Sequence, residues 1–280
     1  MKIKTVFIVG NKRSGSTQLV ELINLHPNLF ISDEADTIWI LYRFHNNLEM
    51  VRYPWDTALG MNNTLNKYKN LLSKEKTPLE NFITVQTTLM KMGSTKLKPM
   101  HKENLLWIGD KKPFQQIDPE IMPFLKTHFP DSKFIHLIRH PFPVVRSSKV
   151  FIGDLWKGMT EEEILKRWTL HENWVKLEKD KNEVPILDVR YEDIISHPQQ
   201  EMARIFDFLE VEYDPALLKE TRKITRSTIR LHPRLPCPPE TQAIMSQYGY
   251  QTQSFWLEKP IYINSVNFLK KMKRKITGTW

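Results

Sequence analysis

The chain has 280 residues, about 40% of them hydrophobic, and one cysteine, Cys237. That is enough apolar material for one well-packed domain, and it excludes a disordered chain, an intrachain disulfide and a zinc site built on several thiolates. The formal charge of +9 points to an anionic ligand or partner without saying which.

Thr5 to Val9 is a short apolar run closed by Gly10, the pattern of a strand buried on both faces. Because this strand starts so near Met1, neither a signal peptide nor a membrane anchor is expected. No later stretch reaches the roughly 20 apolar residues that a bilayer span requires. A helix follows, with Leu19, Leu22 and Ile23 at helical spacing, and Pro27 ends it. Leu29-Phe30-Ile31 predicts a second strand, and residues 35 to about 104 read as helices and loops laid over a sheet. Further strands are predicted at Leu105–Gly109, Lys133–Ile138 and Pro185–Val189. Helices are predicted over 121–128, from near Pro143, over 161–179 and over 199–209, and the proline-rich stretch 232–239 reads as a rigid loop. Strands alternating with helices predict an α/β fold, a three-layer sandwich around a central parallel sheet. With no repeat and no linker, residues 1–280 are expected to form one domain. The lysine- and arginine-rich run 270–275 begins a basic tail, 270–280, that reads as solvated, with at most a weak contact to a membrane or other anionic surface.

The segment Gly10-Asn11-Lys12-Arg13-Ser14-Gly15-Ser16-Thr17 joins the first strand to the first helix. Backbone N–H groups at a helix start, together with the helix dipole, favour a phosphate there. Gly10 and Gly15 permit close backbone approach, Ser14, Ser16 and Thr17 supply hydroxyls, and Arg13 supplies a planar cationic fork. The glycine spacing resembles the ATP and GTP loop G-x-x-x-x-G-K-[ST], but Ser16 stands where that loop has lysine. A P-loop kinase or other NTPase is therefore the weaker alternative. A second constellation, Arg139 at the end of a strand and Ser147 eight residues later on the next helix, suits a second phosphate group. No nucleic-acid-binding signature is present.

Taken together, these segments resemble the sulfotransferases that use 3′-phosphoadenosine 5′-phosphosulfate (PAPS). Residues 13–17 are similar to the family's 5′-phosphosulfate loop, and residues 129–141 with Ser147 to its 3′-phosphate site. Val189 to Asp193, followed by Asp207-Phe208-Leu209, resembles a later family block. The resemblance implies a P-loop-like sulfotransferase fold, PAPS as donor and no metal requirement. The order of residues is most similar to the protein-tyrosine and heparan-type branches. By that resemblance Glu34, twenty-one positions after Arg13, is the general base, Arg13 and Lys111 neutralise the leaving group, and Ser227 holds the sulfonate. Arg13, Ser14, Gly15, Ser16, Thr17, Arg139, Ser147 and Tyr191 bind the nucleotide. Two positions depart from the pattern: Lys112 replaces a threonine or aspartate, and Asp36 replaces an arginine of the tyrosine-directed enzymes. The acceptor stays open between a small alcohol or phenol, a glycan, a lipid and a peptide, and a cytoplasmic location is expected.

Overall fold

A computed structural model describes residues 3–55, 68–93, 97–150, 155–224 and 235–251. The strands β1 (Lys4–Gly10), β2 (Leu29–Asp33), β3 (Trp107–Lys111), β4 (Lys133–Ile138) and β5 (Ile186–Arg190) form one parallel sheet in the order β2-β3-β1-β4-β5. Near-continuous apolar runs explain this arrangement, since a parallel strand covered by helices on both sides has no solvent face to mark with polar residues. From Thr5 to Gly10 every residue of β1 is buried. The register sets Val6 beside Gly109 of β3 and Gly10 beside Leu137 of β4. At Gly109 a Cβ would stand 2.2 Å from the Val6 carbonyl oxygen, so only glycine allows that close pairing.

The helices in chain order are α1 (Ser16–Ile23), α2 (Thr37–His45), α3 (Pro78–Met92), α4 (Met122–His128), α5 (Pro141–Val150), α6 (Glu161–Lys181), α7 (Tyr191–Ser196), α8 (Pro198–Phe208), α9 (Pro215–Ile224) and α10 (Pro239–Gln247). Complete capping boxes start α3 (Thr77 with Glu80) and α6 (Thr160 with Glu163). One sheet face carries Phe7 and Phe134, which join Phe82 of α3 and Phe129 in an edge-packed aromatic cluster with centroids 5.4–5.8 Å apart. Helices α1, α8 and α9 pack together against the other face, where His26 meets Phe206 at 5.2 Å.

The structure differs from the sequence reading at several boundaries. β3 runs two residues later than its apolar signal and takes in the charged pair Asp110-Lys111, both buried. α5 begins at Pro141. α9 and α10 have no counterpart in the sequence reading, and α10 starts at Pro239, the last residue of the stretch read as a loop. Among the described residues no helix is long and apolar enough to cross a membrane.

β1 lies between β3 and β4, and the chain crosses from one side of it to the other between those strands. The strand order therefore reverses at the carboxyl end of β1, where open parallel sheets bind ligands.

Candidate active site

The sheet order delivers five segments to one edge: Asn11–Thr17 after β1, Glu34 after β2, Lys111 at the end of β3, Arg139 after β4 and Tyr191 after β5. Gly15 is the N-cap of α1 at φ 95, in the left-handed region, with no side-chain cap, and the first turn of α1 holds no acidic residue. The free N–H groups of that turn are thus left open to an anion. A Cβ on Gly15 would stand 2.3 Å from the Tyr191 ring, and one on Gly10 2.8 Å from the Leu137 carbonyl oxygen. Both glycines are needed for close approach, and at Gly15 the φ value also demands glycine.

The two sequence constellations prove to be one. Arg13 Nε donates to Ser147 Oγ at 2.9 Å, and Arg139 donates to the Arg13 carbonyl oxygen at 2.8 Å. The Arg139 guanidinium lies 4.3 Å from the Tyr191 ring centroid, so Tyr191 supports both Gly15 and Arg139 from behind. Ser14 Oγ and Arg139 Nε are buried without a hydrogen-bond partner among the described residues. A donor with no acceptor beside a helix N-terminus and several cations is a fit for the oxygens of phosphate groups.

On the other side of the loop, Lys111 Nζ donates to Glu34 Oε1 at 3.0 Å and pairs with Asp33. Thr17 Oγ1 lies at the 3.5 Å limit of the same ammonium. The Lys111 side chain is only 1% exposed, against 25% for Glu34. Burial alone would push the ammonium down; the carboxylates of Asp33 and then Glu34 reverse this and hold it above the ordinary lysine range. It is a permanently charged group. Lys112, by contrast, pairs with Asp36 at 2.8 Å, both nearly inaccessible. The two departures from the family pattern are thus partners of each other, and Lys111 is the lysine that meets Glu34. Next to them Asp110 accepts from Ser32 Oγ (2.6 Å) and Gln116 Nε2 (3.1 Å), while burial pushes its carboxyl up to about 7.

Arg13, Glu34 and Asp36 all hold positive φ, at 65, 55 and 54. Such backbone costs about 1–3 kcal/mol per residue and persists where surrounding contacts fix it. At Glu34 one such contact is its N–H bond to the Lys111 carbonyl oxygen, 2.7 Å. Sequence reasoning missed Asp33, which looked like the tail of a strand, and Asn11, whose partner lies 161 residues away. Ser227 and the basic tail 270–280 lie outside the described residues.

An α/β protein with a cationic, glycine-bearing loop at its topological switch point has the frame on which many folds of this class place a phosphorylated ligand. The model of the sulfotransferase family matches residues 5–215, and the chain belongs to that family. Among solved structures it is similar to the sulfotransferase domain from the curacin biosynthetic pathway (TM-score 0.55, 22% identity, 89% of this chain and 99% of that one). It is likewise similar to the sulfotransferase domain of the Synechococcus PCC 7002 olefin synthase (TM-score 0.57, 21% identity, 90% and 97%). A third is a sulfotransferase from Alicyclobacillus acidocaldarius (TM-score 0.50, 14% identity, 90% and 98%). At these identities the likeness is one of fold. No curated protein matches the chain.

Proposed function

We propose that this protein transfers a sulfonate group from PAPS to the hydroxyl, or amine, of an acceptor. The observation that carries the reading is the convergence of Arg13, Lys111 and Arg139 on the N-terminus of α1, with Glu34 joined to Lys111 at 3.0 Å. The donor supplies an activated sulfonate on a 5′-phosphate and a separate 3′-phosphate, which matches a loop of amides and hydroxyls with a second cation–hydroxyl pair beside it. Ser14, Gly15, Ser16 and Thr17 hold the 5′ end, and Arg139 with Ser147 holds the 3′-phosphate. Tyr191 keeps Gly15 and Arg139 in place. Ser227 is assigned to the sulfonate oxygens on the strength of the family resemblance.

Glu34 accepts the proton of the acceptor group on its carboxylate, the role of a general base. Its contact with Lys111 orients that carboxylate, and its partial exposure leaves it open to an acceptor. Arg13 and Lys111 stabilise negative charge growing on the leaving phosphate oxygen, a fixed-cation counterpart of the clamps used in phosphoryl transfer. The nearest alternative, a kinase-like phosphotransferase, lacks support in the loop, where Ser16 replaces the phosphate-binding lysine.

A screen of alcohols, phenols, glycans, lipids and peptides with labelled PAPS tests the reading. Transfer of label to at least one acceptor is expected. With that acceptor, Glu34→Gln should lower kcat by about 10²-fold or more and leave PAP affinity within about threefold of the parent. Full turnover in Glu34→Gln would remove Glu34 from the base role.

A further inference from the structure

In contact with the loop through Asn11 lies a buried group of charges that the proposed reaction does not use. His136 of β4 is fully buried, with Nδ1 2.8 Å from Asp188 Oδ1 and Nε2 2.9 Å from Glu172 Oε2. A carboxylate within 3 Å of each ring nitrogen favours the imidazolium, although Nε2 meets Glu172 as a close charge contact and not as a well-aligned hydrogen bond. Burial alone would lower its pKa; Glu172 and Asp188 reverse this and hold it at about 9, while Glu172 sits at about 2. Asp188 also pairs with Lys179. Two carboxylates and two cations thus balance.

The other oxygen of Glu172 reaches the donor loop. Asn11 Nδ2 donates to Glu172 Oε1 at 2.7 Å and lies 3.4 Å from the Trp168 carbonyl oxygen. Trp168 Nε1 in turn donates to the Arg139 carbonyl oxygen at 3.1 Å. Trp168 and Glu172 are four residues apart on α6, so they share one face of the helix. One face of α6 therefore grips the loop two residues before Arg13 and also the backbone of Arg139 itself.

We propose that Asn11, Trp168 and Glu172, with Glu172 anchored by His136, are positioning residues that fix the spacing between Arg13 and Arg139 and so select a nucleotide with two separated phosphate groups. The inference rests on the PAPS reading but assigns different residues. His136, His171 and Glu172 also lie close enough together to hold a metal ion. The balanced charges of the imidazolium arrangement supply the same cohesion without one.

The test compares binding of PAP, which has 3′- and 5′-phosphates, with that of adenosine 5′-monophosphate, by titration calorimetry on the full chain. The parent protein should prefer PAP clearly. Asn11→Ala removes the link and takes one donor from Glu172 Oε1, while the ion pairs of Glu172 and Asp188 with His136 and of Asp188 with Lys179 stay in place. It should weaken PAP binding by about tenfold and adenosine 5′-monophosphate binding by less than about threefold, narrowing the preference. Glu172→Gln, which keeps shape and one acceptor oxygen, should act in the same direction. Loss of overall stability alone would reduce both affinities together and leave their ratio intact, and an unchanged ratio in Asn11→Ala overturns the proposal even if Glu172→Gln fails to fold. A parent protein with no preference for PAP overturns the donor reading and this inference together. Stoichiometric metal in the purified protein, lost on Glu172→Gln, overturns the imidazolium account.

Discussion

Glu34 combines three features that a surface carboxylate rarely shares: positive φ, a buried ammonium at 3.0 Å and partial access to solvent. In the sequence it stands out only through an interval from Arg13 that resembles the tyrosine-directed sulfotransferases. Its neighbour Asp33 does not stand out, since a carboxylate at a strand end looks like an ordinary strand terminus until Lys111 is brought beside it. Lys111 and Lys112 are told apart in the sequence only by the family resemblance, not by residue type. Strand alternation separates them, sending one to Glu34 and the other to Asp36. The partners of the buried His136 come from α6 and β5 and are invisible in the sequence. It is faced by Glu172 and His171 of α6, by Asp188 of β5, which also pairs with Lys179, and by Tyr248. Its folded-state pKa of about 9 lies above the ordinary 6.5. The stability it contributes is therefore fully present below about pH 6.5 and is lost as pH rises through about 9. An imidazole NMR titration should find one histidine still charged at pH 8, with the denaturation midpoint falling between pH 7 and 9.5. A neutral His136 at pH 7 would contradict this.

At the scale of elements, the strands were the most legible, because buried parallel strands are written as apolar runs. β3 was displaced in the reading because its last two residues, Asp110 and Lys111, are charged and yet buried. Charge in a strand signals exposure unless long-range partners, here Ser32, Gln116, Asp33 and Glu34, satisfy it. α10 was hidden behind proline. Prolines 238 and 239 read as a break, whereas Pro238 is the N-cap and Pro239 the first residue of the helix, positions where a missing N–H costs little. The connection from β1 to α1 depends on Gly15 in two ways, through φ 95 and through the Tyr191 ring. Gly15→Ala should displace the loop, lowering PAP affinity by about 10²-fold and stability by roughly 1–3 kcal/mol. Trimming the ring in Gly15→Ala/Tyr191→Leu should recover part of the stability and little of the binding, because the backbone strain remains. A single Gly15→Ala variant with parental PAP affinity would show that the loop tolerates a side chain.

For the whole molecule, the sequence carried the class of fold through its alternating strands and helices, and the family through short segments spread across the chain. It did not carry the reason those segments work together. The sheet order places β3 and β4 on either side of β1, so residues as distant as Arg13, Lys111 and Arg139 meet at one carboxyl edge. Two constellations read as separate are joined through Arg13 and Ser147. In the proposed reading, three cations and a helix N-terminus, around buried donors that have no hydrogen-bond partner among the described residues, would hold a ligand with two phosphate groups, and Ser16 in place of lysine sets the loop apart from the ATP and GTP loop pattern. The most direct test is titration of the full chain with PAP and with ATP, each with and without magnesium. PAP binding is expected not to depend on magnesium and to be at least about tenfold tighter than that of ATP. ATP binding that is the tighter of the two and requires magnesium would contradict this.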